Sequence, residues 1–97
     1  MTTFAQLQLT RPIIQAPMAG GASSPQLVAA VSNAGGLGSF ACGMISPQQM
    51  REGVSQIRSL TSKPFAMNLF VLPEPVQPDA EALNASKKWL EPALRQV

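Results

Sequence analysis

Ninety-seven residues hold one small domain, and a complete eight-stranded α/β barrel of roughly 250 residues does not fit in them. Apolar residues make up 45% of the chain and charged residues only 12%, about half the usual share, which disfavours disorder and implies surfaces meant to be covered by more protein. The net charge is +2, and the seven Lys and Arg are scattered singly apart from Lys87 and Lys88, so no basic stripe for a nucleic acid is present.

The opening Met1-Thr2-Thr3-Phe4 lacks the basic start, apolar run and cleavage site of an export signal. Pro12-Ile13-Ile14-Gln15-Ala16 then reads as a short buried strand that runs into the glycine-rich turn Pro17-Met18-Ala19-Gly20-Gly21. Ser24-Pro25 starts a helix, with Ser as N-cap and Pro at the first helical position. Leu27, Val28, Val31 and Ala34 recur at helical spacing, and Gly35-Gly36 supplies the stop. Leu37–Phe40 is the second strand candidate.

The same grammar repeats from Ser46-Pro47. Met50, Val54, Ile57 and Leu60 mark one face of a second helix, which Lys63-Pro64 ends. Phe65–Phe70 reads as a third strand. Pro73, Pro75 and Pro78 hold the stretch after it extended. Asp79 caps a last helix with Ala82, Leu83, Trp89, Leu90 and Leu94 as its apolar positions, which Pro92 is expected to kink or end.

Strand and helix alternate three times, the pattern of an α/β fold with a parallel sheet. The strands are almost continuously apolar, as when both faces are covered. No charge falls between Arg11 and Arg51, but Pro12, Pro17, Pro25, Pro47 and several glycines interrupt that stretch, so no window of about 20 apolar residues is available to span a membrane. The strand–helix register runs off at Val97 without a closing element, so an interrupted fold is expected.

In parallel α/β folds ligands sit outside the carboxyl ends of the strands. Gln15-Ala16-Pro17-Met18-Ala19-Gly20-Gly21 lies at such an end, where small residues let a planar ring or phosphate approach the backbone and a Met offers a polarizable contact. The same run is equally a turn that needs glycine. Asn33-Ala34-Gly35-Gly36-Leu37-Gly38 closes a helix and opens a strand, the reverse of a dinucleotide loop, and reads as a helix stop with tight helix–strand packing. Asn68 is a polar residue near the end of an apolar strand, and a ligand edge or a neighbouring loop must satisfy it.

Cys42 lies just past the second strand, with no His or neighbouring Lys to lower its pKa, and is expected to pack rather than react. A single cysteine and no histidine leave no disulfide and no metal-ligand set, and fit a reducing cytoplasm. Glu52, Glu74, Asp79, Glu81 and Glu91 read as solvated charges, not as a paired acid and base.

Pro12–Gly20 resembles the opening strand of the nitronate monooxygenase (2-nitropropane dioxygenase) family. Leu27–Gly38 resembles that family's first helix and second strand, and Pro64–Phe70 is similar to its third strand. The order and spacing of the three motifs agree over nearly the whole chain. The resemblance implies that residues 1–97 are the N-terminal part of a single FMN-binding domain, the first three βα units of a (β/α)8 TIM barrel, incomplete in this chain. It implies an FMN-dependent oxidoreductase that oxidises alkyl nitronates with O2. Ala16, Pro17 and Met18 then match positions lining the flavin ring, and Asn68 matches a further FMN contact, with Gln15 and Gly20 beside them. The family's catalytic histidine belongs to a later part of the barrel, so no catalytic residue is assigned here. The phosphate site is likewise expected beyond Val97.

Two other readings stand beside this one. Enoyl-acyl-carrier-protein reductases and NADH:quinone reductases of the same flavin barrel open with similar motifs. A non-catalytic partial barrel would instead hold together by self-association through its exposed sheet edges and apolar helix faces.

Overall fold

The computed structural model describes residues 3–96, so Met1, Thr2 and Val97 lie outside the described residues. A short 3-10 turn over Phe4–Leu7 is followed by α1 (Pro25–Asn33), β1 (Gly38–Ala41), α2 (Pro47–Leu60), β2 (Phe65–Asn68) and α3 (Ala80–Leu94). The three helices begin where their caps place them. Ser24 Oγ accepts from Leu27 N at 3.2 Å, Ser46 Oγ from Gln49 N at 3.2 Å and Asp79 Oδ1 from Ala82 N at 2.7 Å. Gln49 also reaches back to Ser46 N at 2.8 Å, which completes a capping box.

β1 and β2 pair in parallel, with Gly38 opposite Phe65 and Ala41 opposite Asn68. The expected first strand is not a strand of its own. It reaches the sheet through one parallel bridge, Ile14 to Leu37, with Leu37 N donating to Ile13 O at 2.9 Å and Gln15 N to Leu37 O at 3.0 Å. It is also not buried, since Ile14 remains 51% exposed. The reason is its place at the sheet edge, where no further strand covers it among the described residues.

Side chains alternate along a strand, so Phe40 and Met67 share one face and Ser39, Ala41, Ala66 and Asn68 the other. Phe40 joins Val28, Cys42 and Ile57 in the core, with Ile45, Met50 and Phe65 packed against it. These residues lie under α1 and α2. On the opposite face Ser39 is buried, while Ala41, Ala66 and Asn68 are half-buried. The expectation of strands covered on both sides therefore holds for β1, where Ser39 and Phe40 are both buried, and not for β2, where Phe65 and Ala66 are half-buried and Met67 is exposed.

The buried stripes are also displaced from the expected ones. On α1 it is Val28, Ala29 and Ser32 that are buried, while Ala34 is exposed. On α2 Gly53 and Ile57 are buried, Met50 and Val54 half-buried and Leu60 exposed. Gly53 joins because α2 crosses the Phe40 ring at that residue, where a Cβ would come within 2.6 Å of Phe40 Cε1. Gly35 carries φ of 96° and ends α1 in the left-handed conformation that glycine adopts freely.

Residues 69–79 form no regular element, as their prolines require. α3 follows, and it passes through Pro92 to end at Leu94 instead of stopping at the proline. Pro92 has no N–H to donate to Lys88 O and its ring crowds that carbonyl, and the helix ends two residues beyond it. No residue of α3 is buried, and α3 packs against none of the other elements among the described residues. The radius of gyration, 19.2 Å, accordingly exceeds the roughly 12–13 Å of a compact chain of this length.

Candidate functional site

The first strand leaves the sheet at Gln15, and the sequence shows why. A parallel ladder takes a donor from every second residue of a strand. After Gln15 N, bonded to Leu37 O, the next donor would come from residue 17, and Pro17 has no N–H. The Gln15 side chain takes over both missing roles. Its Oε1 accepts from Ser39 N at 3.0 Å, and its Nε2 lies 3.3 Å from Ser39 O. The backbone of Ala16, Pro17 and Met18 is thereby released to form a shelf over the carboxyl end of β1.

Ser23, which the sequence reading passed over, fixes that shelf. It is 4% exposed. Its Oγ accepts from Met18 N at 2.7 Å and from Gln15 Nε2 at 3.0 Å, and lies 3.4 Å from Ala16 O. Gln15 Nε2 also donates to Ala16 O. Ser23 N donates to Met18 O at 3.1 Å, so both backbone polar groups of Met18 are held by one residue. The only sequence signal for Ser23 was a second hydroxyl directly before the N-cap Ser24.

Ala16, Pro17 and Met18 are all exposed, and the shelf presents their apolar side chains outward. Gly20 and Gly21 continue it with φ of 79° and 96°, and a Cβ on either would meet nothing within 4 Å. A concavity of about 170 Å³ opens beside it, lined by Met18, Gly20, Gly21, Ser23, Ala41 and Met44. A wider groove of about 690 Å³ runs along α2 and the free edge of β2, past Val54, Arg58, Lys63 and Met67. None of the expected site residues lines that groove.

Asn68 ends β2 at the same carboxyl edge as the shelf. Its backbone carbonyl accepts from Cys42 N at 2.9 Å, while its half-buried side-chain amide makes no hydrogen bond among the described residues. Of the two expected partners, a ligand edge or a neighbouring loop, no loop satisfies it among the described residues. It is instead open to the strand ends, with both a donor and an acceptor free. Two strand spacings, roughly 10 Å, separate it from the shelf, so the structure puts the two on one edge without bringing them into contact.

Cys42 is buried in the core and its Sγ lies 3.7 Å from Phe40 O. Burial pushes its thiol pKa up, away from the reactive thiolate, in keeping with a packing role. No group of three or more His, Cys, Asp or Glu is placed to hold a metal ion among the described residues.

Residues 2–96 match the family model described as nitronate monooxygenase. The chain belongs to the nitronate monooxygenase family. It is 44% identical over 94 residues to a protein of Bacillus subtilis named probable nitronate monooxygenase, covering 95% of this chain and 26% of that relative. It is 46% identical over 86 residues to the nitronate monooxygenase of Paraburkholderia phytofirmans, covering 89% of this chain and 23% of that one.

Among solved structures, nitroalkane oxidase from Streptomyces ansochromogenes superposes with a TM-score of 0.67 at 42% identity, over 87% of this chain and 23% of that one. FabK from Thermotoga maritima superposes with a TM-score of 0.62 at 38% identity, over 88% of this chain and 26% of that one. The chain thus spans about a quarter of the length of the relatives it matches. Nitronate monooxygenases are oxidoreductases, and this chain's fold is the mixed α/β arrangement of members of such barrel families.

Proposed function

We propose that this chain is the N-terminal part of an FMN-dependent (β/α)8 barrel that oxidises alkyl nitronates with O2, and that it supplies one wall of the flavin pocket. The observation that supports this most directly is the common edge of the family-matched residues Ala16, Pro17, Met18 and Asn68. The carboxyl ends of β1 and β2 lie there, beside the segment that Ile14 bridges to Leu37.

These residues suit a flavin. An exposed apolar shelf of Ala, Pro and Met is the surface against which an aromatic ring stacks. The free Asn68 amide offers a donor and an acceptor to a polar ring edge. The electron transfer itself is the chemistry that FMN supplies when bound. The chain's residues orient the ring and keep water from one side of it. No histidine is present to take a proton from the substrate, and no cationic side chain stands at this edge for a phosphate, so both duties fall to further sequence. By itself the 97-residue chain is then inactive. The protein's setting in this proposal is the cytoplasm, without a nucleic-acid partner. No helix among the described residues is long and apolar enough to cross a membrane.

The likeness to FabK, at nearly the same TM-score as that to nitroalkane oxidase, favours a second reading within the same chemistry: an enoyl-acyl-carrier-protein or quinone reductase on the same flavin barrel. Intact mass and the visible spectrum of the native gene product test the proposal. A mass about four times that of this chain, with flavin bands, is expected. Oxygen uptake with a nitronate, without NADH oxidation, then separates the two readings. A product of 97 residues without flavin refutes both and leaves a self-associating partial barrel.

A further inference from the structure

We infer that Ser23, together with Gln15, is a positioning residue that sets the flavin shelf before any flavin arrives. The inference rests on the proposed FMN reading of the Ala16–Met18 edge, and it assigns a role to two residues that reading does not require.

A hydroxyl has one donor and two acceptor sites, and Ser23 has a partner for each within the shelf and its anchor. Met18 N and Gln15 Nε2 donate to it at 2.7 and 3.0 Å, and Ala16 O lies 3.4 Å away. Ser23 directly precedes the N-cap Ser24, so the start of α1 fixes its own position. Gln15 is tied to the backbone of Ser39 in β1. The shelf is thus referenced to one helix and one strand, both anchored in the core through Val28 and Phe40.

A loop lacking these ties would have to be ordered by the ligand. Fixing the backbone of a single residue costs roughly tenfold in affinity. Replacing the hydroxyl leaves the Met18 N–H and the Gln15 amide without their partner and frees at least one shelf residue. Ser23→Ala is therefore expected to raise the FMN dissociation constant about tenfold or more. Ser23→Thr keeps the hydroxyl and restores most of the affinity. Gln15→Glu keeps the acceptor for Ser39 N–H but turns the donor toward Ser23 into an acceptor, so it weakens FMN in the same direction.

The test is an FMN titration of the flavin-stripped native gene product and its variants, followed by flavin fluorescence and by the visible circular dichroism of the bound ring. A tenfold weaker, hydroxyl-dependent binding with a changed dichroic band is the expected result. If Ser23→Ala does not accumulate as folded protein, Gln15→Glu gives the reading. FMN binding within twofold of the unsubstituted protein, whatever happens to thermal stability, overturns the positioning role alone. An unsubstituted protein that binds no FMN overturns the proposed function, and this inference with it.

Discussion

Gly38→Ala tests the packing that holds the sheet to its helices. Gly38 opens β1, pairs with Phe65, and donates its N–H to Ser32 Oγ of α1 at 3.2 Å. A Cβ there would lie 2.8 Å from the carbonyl carbon of Val28 and 2.9 Å from its Cα, with the carbonyl oxygen nearer still. All three atoms are helix backbone, so no rotamer change relieves them, and α1 must retreat by about 1 Å to regain ordinary contact. Overpacking of this kind costs about 1–3 kcal/mol, and a clash with backbone belongs at the upper end. Removing a glycine from a strand returns about 0.5–1 kcal/mol. The net loss is about 2 kcal/mol. With a urea dependence of about 1 kcal/mol per molar, the unfolding midpoint followed by far-UV circular dichroism falls by about 2 M. Gly53→Ala is the comparison. Its Cβ meets the Phe40 ring, a side chain that can swing aside, and the helix gains about 1 kcal/mol of propensity, so it costs less. A Gly38→Ala midpoint within about 0.5 M of the parent, or a larger loss in Gly53→Ala, would refute the argument.

Three further outcomes concern Asn68, Ser46 and Cys42. Asn68→Leu removes an amide that holds nothing in the fold, so stability should stay within about 0.5 kcal/mol while FMN affinity drops about tenfold in a fluorescence titration. Ser46→Ala deletes the capping box at the start of α2 and should cost about 1 kcal/mol in urea unfolding, whereas Ser46→Asp should largely preserve it. Because burial raises the Cys42 pKa, the neutral thiol belongs to the folded state. Its contribution is fully present below the unfolded thiol pKa, about 8.5, and is lost as pH rises through the raised folded value. Urea midpoints from pH 7 to 10 should show an alkaline decline that Cys42→Ala abolishes.

What could be read from the sequence was local. Ser24, Ser46 and Asp79 each announce a helix because a cap acts within one turn, and each helix starts there. Gly35 and Gly38 were legible as a helix stop with close helix–strand packing for the same reason. Burial was harder, since it depends on what lies across the fold. Ile13 and Ile14 look like core from their composition, yet they sit at an uncovered edge. Pro92 reads as a kink or an end, and α3 runs only two residues past it. At the site, the shelf and Asn68 were visible as motifs. The substitution of a Gln15 side chain for a ladder position that Pro17 vacates needed the register. Ser23 needed the third dimension, because its partners are five and eight residues away.

The isolation of α3 has a spectroscopic meaning. The chain's single tryptophan, Trp89, stands on that helix and is 88% exposed. Its emission is therefore silent about the melting of the core beneath α1 and α2. It reports instead on the helix's surroundings, red-shifted while α3 faces water and blue-shifted once an apolar surface closes over it. The protein thus carries its own optical gauge of whether α3 has been covered.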